Sequence, residues 1–391
     1  MNVLYFVPYI DQEMGGVRQY AVALLKILAG DNNNKYYVFH EVEDNEIIAV
    51  LANNPHLVRV RPKADSKNIV IQLFKKVERK LFKLTPKYPF DEVCDQYKID
   101  IIHCPYQYLP QSGNRKSICT MHDVQELHFP QYFTPEERAL RATNSMLAIK
   151  NADAIIVSYK HIKEDIIKFF NPPAAKVHVC LLNMNNLWFD KYKATDVANE
   201  TAFETPAKFI LCPANTWEHK NHKILLEALL ILKKTGQSEI KIICTGHKTD
   251  FYENVIKPFI EENDLHDQIF FKGIVDEKIL YSFYKTCVGV VIPTLYEAGS
   301  FPLMESILLE APVICADTTS LPDTIGDREF VFNPKDAVEV GEKIKLLWTD
   351  DNFRKRNIVN SRKQAGNLRN NDILNLITEI YYRLGTAPPP N

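Results

Sequence analysis

A chain of 391 residues exceeds what one hydrophobic core usually organises, so two domains are expected. Hydrophobic residues at 46% and charged residues at 25% describe a soluble globular protein, and a net charge of −2 argues against general nucleic-acid binding. Eight cysteines (Cys94, Cys104, Cys119, Cys180, Cys212, Cys244, Cys287 and Cys315) include no C-x-x-C pair. Most sit in apolar runs, as buried thiols of a reducing compartment would. No apolar run is long enough to span a bilayer. Met1 to Ile10 lacks a basic region and runs into Asp11, so it reads as a strand rather than a signal peptide. The expected location is the cytoplasm.

Asn2 to Pro8 forms the first expected strand, and Val17 to Leu28 a helix with Tyr20, Leu24 and Leu28 on one face. Between them Gly15-Gly16-Val17-Arg18 makes a turn where backbone can approach a ligand closely. It is not a G-x-G-x-x-G fingerprint, and a plain strand–helix turn explains it equally well. Further on, Val70, Leu73, Phe74, Val77, Leu81 and Leu84 share one face of a helical wheel, with Lys75, Lys76, Arg79, Lys80 and Lys83 mostly off it. Such a basic amphipathic helix either packs its apolar face in the core or rests on an anionic membrane surface.

Ile99 to Cys104 is a strand with His103 near its end, and Ser117 to Met121 another, ending at His122-Asp123. Ligands of open α/β sheets bind beyond the carboxyl ends of strands, which places both histidines for chemistry, although a lone histidine there serves packing as readily. Lys191 to Pro206 is polar and poorly periodic, the best linker. A second strand–helix series follows: Phe209 to Cys212, Ile240 to Cys244 running to Gly246, and Ile269 to Phe271 running to Gly273. The turn Pro213 to His222 leads into a helix carrying Leu225, Leu229 and Leu232, and Lys220 before that helix can neutralise a diphosphate as a point charge. The alternation is that of doubly wound parallel sheets.

Val288 to Ile292 is a short apolar run closed by Pro293, a buried parallel strand. After it, Ser300 is the expected N-cap of a helix with Pro302 in its first turn and Met304, Ile307, Leu308 and Ala311 as an apolar stripe. Glu297 then lies on the strand-to-helix loop and Glu305 on the helix. The backbone N–H groups of Gly299, Ser300, Phe301 and Leu303, with the helix dipole, favour an anion. Carboxylates for sugar hydroxyls beside amides for a diphosphate suit a nucleotide-sugar.

Tyr296 to Glu305 resembles the Glu-x7-Glu motif of retaining glycosyltransferases of the GT-B fold, family 4, and the match continues through Ala311 to Ile314 and Ser320 to Asp327. The family usually has Glu-Gly-Phe-Gly-Leu-Pro; here Ala298 and Ser300 replace the glycines and Gly299 lies between them. Gly15-Gly16 resembles the N-terminal glycine loop near the donor phosphate. Thr120 to Asp123 resembles the His-Asp segment whose histidine addresses the donor sugar, and Ala152 to Ser158 the strand ending in Ser. Trp217 to Asn221 resembles the His-Lys-Asn variant of the pyrophosphate-binding turn, without the arginine many members carry at the place of Ala214 or Asn215.

The resemblance implies an α/β GT-B architecture, two Rossmann-like doubly wound parallel-sheet domains facing a central cleft. Residues 1–190 would form the acceptor-side domain, 207–370 the nucleotide-sugar domain, and 371–391 a helix crossing back to the first domain plus a frayed Pro-rich tail. It implies catalytic roles for Glu297, His122 and Lys220, and donor binding by Gly15, Gly16, His219, Lys220, Gly299, Ser300, Phe301, Leu303 and Glu305. His103 and Asp123 are acceptor-side candidates. The implied reaction moves a hexose, with a lean to GDP-mannose, from a nucleoside-diphosphate sugar to a hydroxyl of a glycan or lipid-linked acceptor, in surface polysaccharide or glycoconjugate synthesis. It retains anomeric configuration and needs no metal or other cofactor, no D-x-D pair being evident near the site. Apart from the resemblance, the charge pattern of residues 70–84 offers a peripheral contact with the inner membrane face as the alternative to core packing. The rival readings are a nucleotide-sugar epimerase of the same fold and a non-catalytic glycan- or partner-binding relative.

Overall fold

A computed structural model describes residues 1–8, 15–41, 44–61, 89–110, 113, 115–185, 187–193, 195 and 205–386. The basic segment 70–84, most of the 191–206 linker and the tail beyond 386 lie outside the described residues.

The chain forms two compact units, each built on one parallel sheet. The first comprises Met1–Val124, Pro135–Leu182 and Asp372–Asn391; the second comprises Gln125–Thr134 and Asn183–Asn371. Both boundaries differ from a continuous 1–190 first domain. Residues 125–134 cluster with the second unit, where Phe129 packs edge-on to Tyr296 with ring centroids 6.1 Å apart.

In the first unit the strands are β1 (Asn2–Phe6), β2 (Lys35–Phe39), β3 (Leu57–Val60), β4 (Ile101–Cys104), β5 (Lys116–Thr120), β6 (Ala154–Val157) and β7 (Val177–Val179). Their order is β3-β2-β1-β4-β5-β6-β7, all described pairs parallel. Side chains alternate across the pleat, so Val3 and Tyr5 enter one core while Leu4 and Phe6 enter the other. Both faces are covered, which is why β1, β4 and β6 read as continuous apolar runs. The final helix, Ile373–Thr386, adds Ile373, Ile377, Ile380 and Tyr381 to the first of those cores.

The second unit holds β8 (Ile210–Pro213), β9 (Ile242–Thr245), β10 (Ile269–Phe271), β11 (Gly289–Ile292), β12 (Val313–Ala316) and β13 (Val331–Phe332) in the order β10-β9-β8-β11-β12-β13. Three of its helices start on aspartates whose carboxylates accept the orphan first-turn N–H groups: Asp276, Asp336 and Asp350 cap Glu277–Thr286, Ala337–Thr349 and Asp351–Arg369. In each sheet the order reverses at one place, between β1 and β4 and between β8 and β11. Those switch points open a crevice beyond the carboxyl ends of the flanking strands. Among the described residues no helix is long and apolar enough to cross a membrane.

Candidate functional site

The second switch point gathers most of the residues singled out in the sequence. From the end of β8 the chain runs to a single 3-10 turn, Glu218–Lys220, and then to Asn221, held at φ 61° before the helix His222–Lys234. The Asn221 side-chain amide donates to the carbonyls of Pro293 (2.9 Å) and Pro334 (2.8 Å). The His219 carbonyl accepts from Leu295 N–H at 2.7 Å and from the Thr294 hydroxyl at 3.0 Å. These bonds tie the β8 loop to the β11 loop and bring Lys220 Nζ to 2.5 Å from Glu297 Oε1. The pair is mostly buried, the side chains being 21% and 12% exposed, so water screens it only in part.

His219 lies beside them, its ring against Tyr132. Burial, with Lys220 and His222 adding to it, pushes its pKa down to about 3. That favours the neutral imidazole, which can offer a donor a hydrogen bond rather than a charge. Ala214 and Asn215 occupy the place of the missing arginine, and Asn215 Oδ1 accepts from His247 N–H at 2.7 Å. That close approach depends on Gly246 at φ 116°, where a Cβ would stand 2.7 Å from Asn215 N and 2.8 Å from the Ala214 carbonyl carbon. In the sequence Gly246 only ends a strand run; its role in shaping this turn has no local signal.

Ser300 caps the helix Phe301–Leu308, its hydroxyl accepting from Leu303 N–H at 3.4 Å. The Leu303 amide is therefore engaged by the cap, and the Leu303 side chain is fully buried. Gly299 and Phe301 are half-buried. The helix stops at Leu308 and Glu310 takes φ 56°, so Ala311 lies beyond the helix and is not part of its stripe. Glu305 is buried, with Oε1 2.7 Å from the Trp188 indole nitrogen and Oε2 2.8 Å from the Tyr284 hydroxyl. Burial raises its pKa and the two hydrogen bonds oppose the rise. Trp188 and Tyr284 escaped sequence reasoning: the indole donor lies 117 residues from its carboxylate, beyond any local pattern.

The remaining candidates belong to the first unit. His122, at the end of β5, is partly exposed, with Nε2 2.9 Å from the Pro105 carbonyl and its ring edge-on to Tyr20 at 4.7 Å. Burial lowers its pKa, favouring the neutral imidazole. Asp123 accepts from Arg141 Nη2 at 2.7 Å. His103 is fully buried, edge-on to both Tyr5 and Tyr381, with Nδ1 2.6 Å from the Tyr381 hydroxyl. It anchors the final helix and has no atom to offer an acceptor, so the acceptor-side expectation gives way to packing. Gly15 and Gly16 open the helix Gly15–Leu28 itself rather than forming a turn ahead of it.

Comparisons with known proteins bear on the family and the fold. The family model described as Glycosyltransferase Family 4 matches residues 14–180, and that of Glycosyl transferases group 1 matches residues 194–364. An O-antigen chain mannosyltransferase B of Escherichia coli is 24% identical over 363 residues, covering 90% of this chain and 92% of that protein. A serotype-specific mannosyltransferase, WbdA, of Escherichia coli is 22% identical over 272 residues, 68% of this chain but only 32% of that longer protein. The structure of Anabaena Alr3699/HepE in complex with UDP and glucose superposes with a TM-score of 0.69 at 15% identity, covering 99% of this chain and 100% of that one. Two parallel-sheet units with this strand order, matched by both family models, leave one placement: the chain belongs to the family 4 glycosyltransferases of the GT-B fold.

Proposed function

We propose that this glycosyltransferase moves a hexose, mannose in the first instance, from a nucleoside-diphosphate sugar to a hydroxyl of a glycan or lipid-linked acceptor, with retention and without a catalytic metal. The observation that carries this is the Lys220–Glu297 pair at the carboxyl ends of the two strands flanking the switch point. Without a donor the ammonium and carboxylate neutralise each other. A diphosphate would compete for Lys220, and Glu297, released from it, would accept from sugar hydroxyls. Charge developing on the departing phosphate would be met by Lys220, the amides around Gly299 and the dipole of the helix Phe301–Leu308. The bond from the anomeric carbon to the phosphate oxygen breaks, the acceptor oxygen bonds on the same face, and its proton passes to the departing phosphate oxygen. For His122 the support is the resemblance of Thr120 to Asp123 to the family's His-Asp segment, whose histidine addresses the donor sugar. Glu305, held by Trp188 and Tyr284, would meet the ribose. The choice of mannose draws on the mannosyltransferases among the relatives.

The test is a panel of GDP-mannose and UDP-sugars, with and without glycan and polyprenyl-linked acceptors. Nucleoside diphosphate should appear only when donor and acceptor are both present, and the product linkage should keep the donor's anomeric configuration by NMR. A new nucleotide-sugar formed without acceptor would instead identify an epimerase. Binding without turnover under any pairing would identify a non-catalytic relative.

A further inference from the structure

Beneath the Lys220 loop, inside the core of the second unit, lies a cluster that the glycosyl-transfer reading does not use. Cys212 on β8 and Cys244 on β9 are register partners in adjacent parallel strands, so their side chains leave the sheet on the same face. His222, the first residue of the helix His222–Lys234, meets them there, and one donor atom from each of the three lies within 4.8 Å of the others. All three residues are fully buried, and both cysteines are free thiols.

Packing alone accounts for the thiols, since free cysteine behaves as a small buried hydrophobe. It does not account for His222. Neither of its ring nitrogens has a partner at full hydrogen-bond geometry, the Cys212 thiol being a group that the ring interacts with. A buried polar group without a partner is costly and uncommon in native proteins, and calls for a ligand or a role. Two sulfurs and an imidazole nitrogen converging on one point form a soft donor set. Metal–sulfur bonds of about 2.3 Å and metal–nitrogen bonds of about 2.0–2.1 Å put such ligand atoms roughly 3.5–4 Å apart. The donor atoms, within 4.8 Å of one another, would draw together by up to about 1 Å to meet a cation.

We propose that Cys212, His222 and Cys244 form a structural site for a thiophilic d10 cation, zinc(II) first and copper(I) second. Two thiolates and a neutral imidazole cancel the charge of zinc, so the loaded site adds no net charge to a buried region; copper(I) would leave one negative charge there. The cation would clamp β8 and β9 to the start of the helix that follows Lys220, which fixes both ends of the donor loop. It would be captured during folding, because the site has no exposed atom. This inference is independent of the proposed reaction, and its readouts are metal content, spectrum and stability rather than turnover.

The full chain, expressed in zinc-supplemented medium and desalted through a chelating resin, should carry about one zinc per chain by mass spectrometry. His222→Ala and Cys244→Ala should lose that metal, while Cys315→Ala, which removes a buried thiol outside the cluster, should keep it. Because those variants can fail to fold, the wild-type chain is also unfolded with chelator and refolded with zinc(II), cobalt(II), copper(I) or no metal. Refolding with a cation should raise the thermal midpoint by several degrees, and the cobalt form should show thiolate-to-cobalt charge-transfer absorption. Stoichiometric copper in place of zinc supports the site and names its cation. No stoichiometric metal together with no shift in midpoint overturns the proposal, as does metal retained equally by His222→Ala and Cys244→Ala.

Discussion

Lys220 and Glu297 neutralise each other, yet their proposed tasks with a donor differ, and substitution separates them. Lys220→Ala removes the group expected to hold the diphosphate, so affinity for donor and for free nucleoside diphosphate should both fall, by on the order of 1.5–3 kcal/mol, the range for hydrogen bonds to charged groups. Calorimetric titration with the free diphosphate reads this directly, and unchanged affinity would return Lys220 to an ion pair with no ligand. Glu297→Ala should instead lose turnover and donor-sugar binding while keeping the nucleoside diphosphate. Glu305→Ala should weaken donor and diphosphate together, since both contain the ribose. It should also lower stability by about 1–3 kcal/mol, because the Trp188 indole and the buried Tyr284 hydroxyl lose their acceptor. Identical ligand losses in the two glutamate variants would mean that the carboxylates do not divide the donor between them.

Among the elements, the final helix has the most to say about stability. Tyr381 places its hydroxyl on His103, whose pKa burial has pushed from 6.5 down to about 3. A histidine with a depressed folded-state pKa contributes stability that is complete above the unfolded value and is lost as pH falls toward the folded one. Between about pH 6.5 and pH 3 the wild-type chain should therefore lose stability more steeply than His103→Gln, as followed by thermal unfolding across that window. Equal slopes would mean that His103 takes up no proton on unfolding. A second element-scale outcome concerns the turn after β8. Gly246→Ala forces a Cβ into backbone at 2.7–2.8 Å, which the Ala214–Asn215 turn can relieve only by moving. Donor affinity should drop with the fold retained by circular dichroism, and an unchanged affinity would show that the turn's position is irrelevant to the donor.

For the whole molecule, the proposed reaction places charge neutralisation on Lys220, amides and a helix terminus rather than on a divalent ion. Turnover should be essentially unchanged by EDTA under conditions where a known metal-dependent transferase is silenced. Loss of activity restored by Mg²⁺ or Mn²⁺ would sink the metal-independent mechanism. Recovery by zinc alone would point to the buried Cys212–His222–Cys244 cluster instead, a structural dependence rather than a catalytic one.

What the sequence determined by itself was whatever local chemistry dictates. Apolar runs such as Val288 to Ile292 announce buried strands because parallel strands are covered on both faces. Ser300 announces a helix start because a hydroxyl can take an orphan amide. The family resemblance was carried by Tyr296 to Glu305 together with Ala311 to Ile314 and Ser320 to Asp327, since the Glu297–Glu305 spacing alone is common. Tertiary structure alone decided the partners, since these are set by distances that chain separation does not encode. It paired Lys220 with Glu297 across 77 residues and supplied Glu305 with Trp188 across 117. It buried His103 under a helix 278 residues away, which turned a candidate for chemistry into a packing residue. It neutralised His219 by burial, a property of its surroundings rather than of its neighbours in sequence. Strand order is likewise a long-range choice: only the assembled sheet brings β8 beside β11, and with them the two loops from which the site is made.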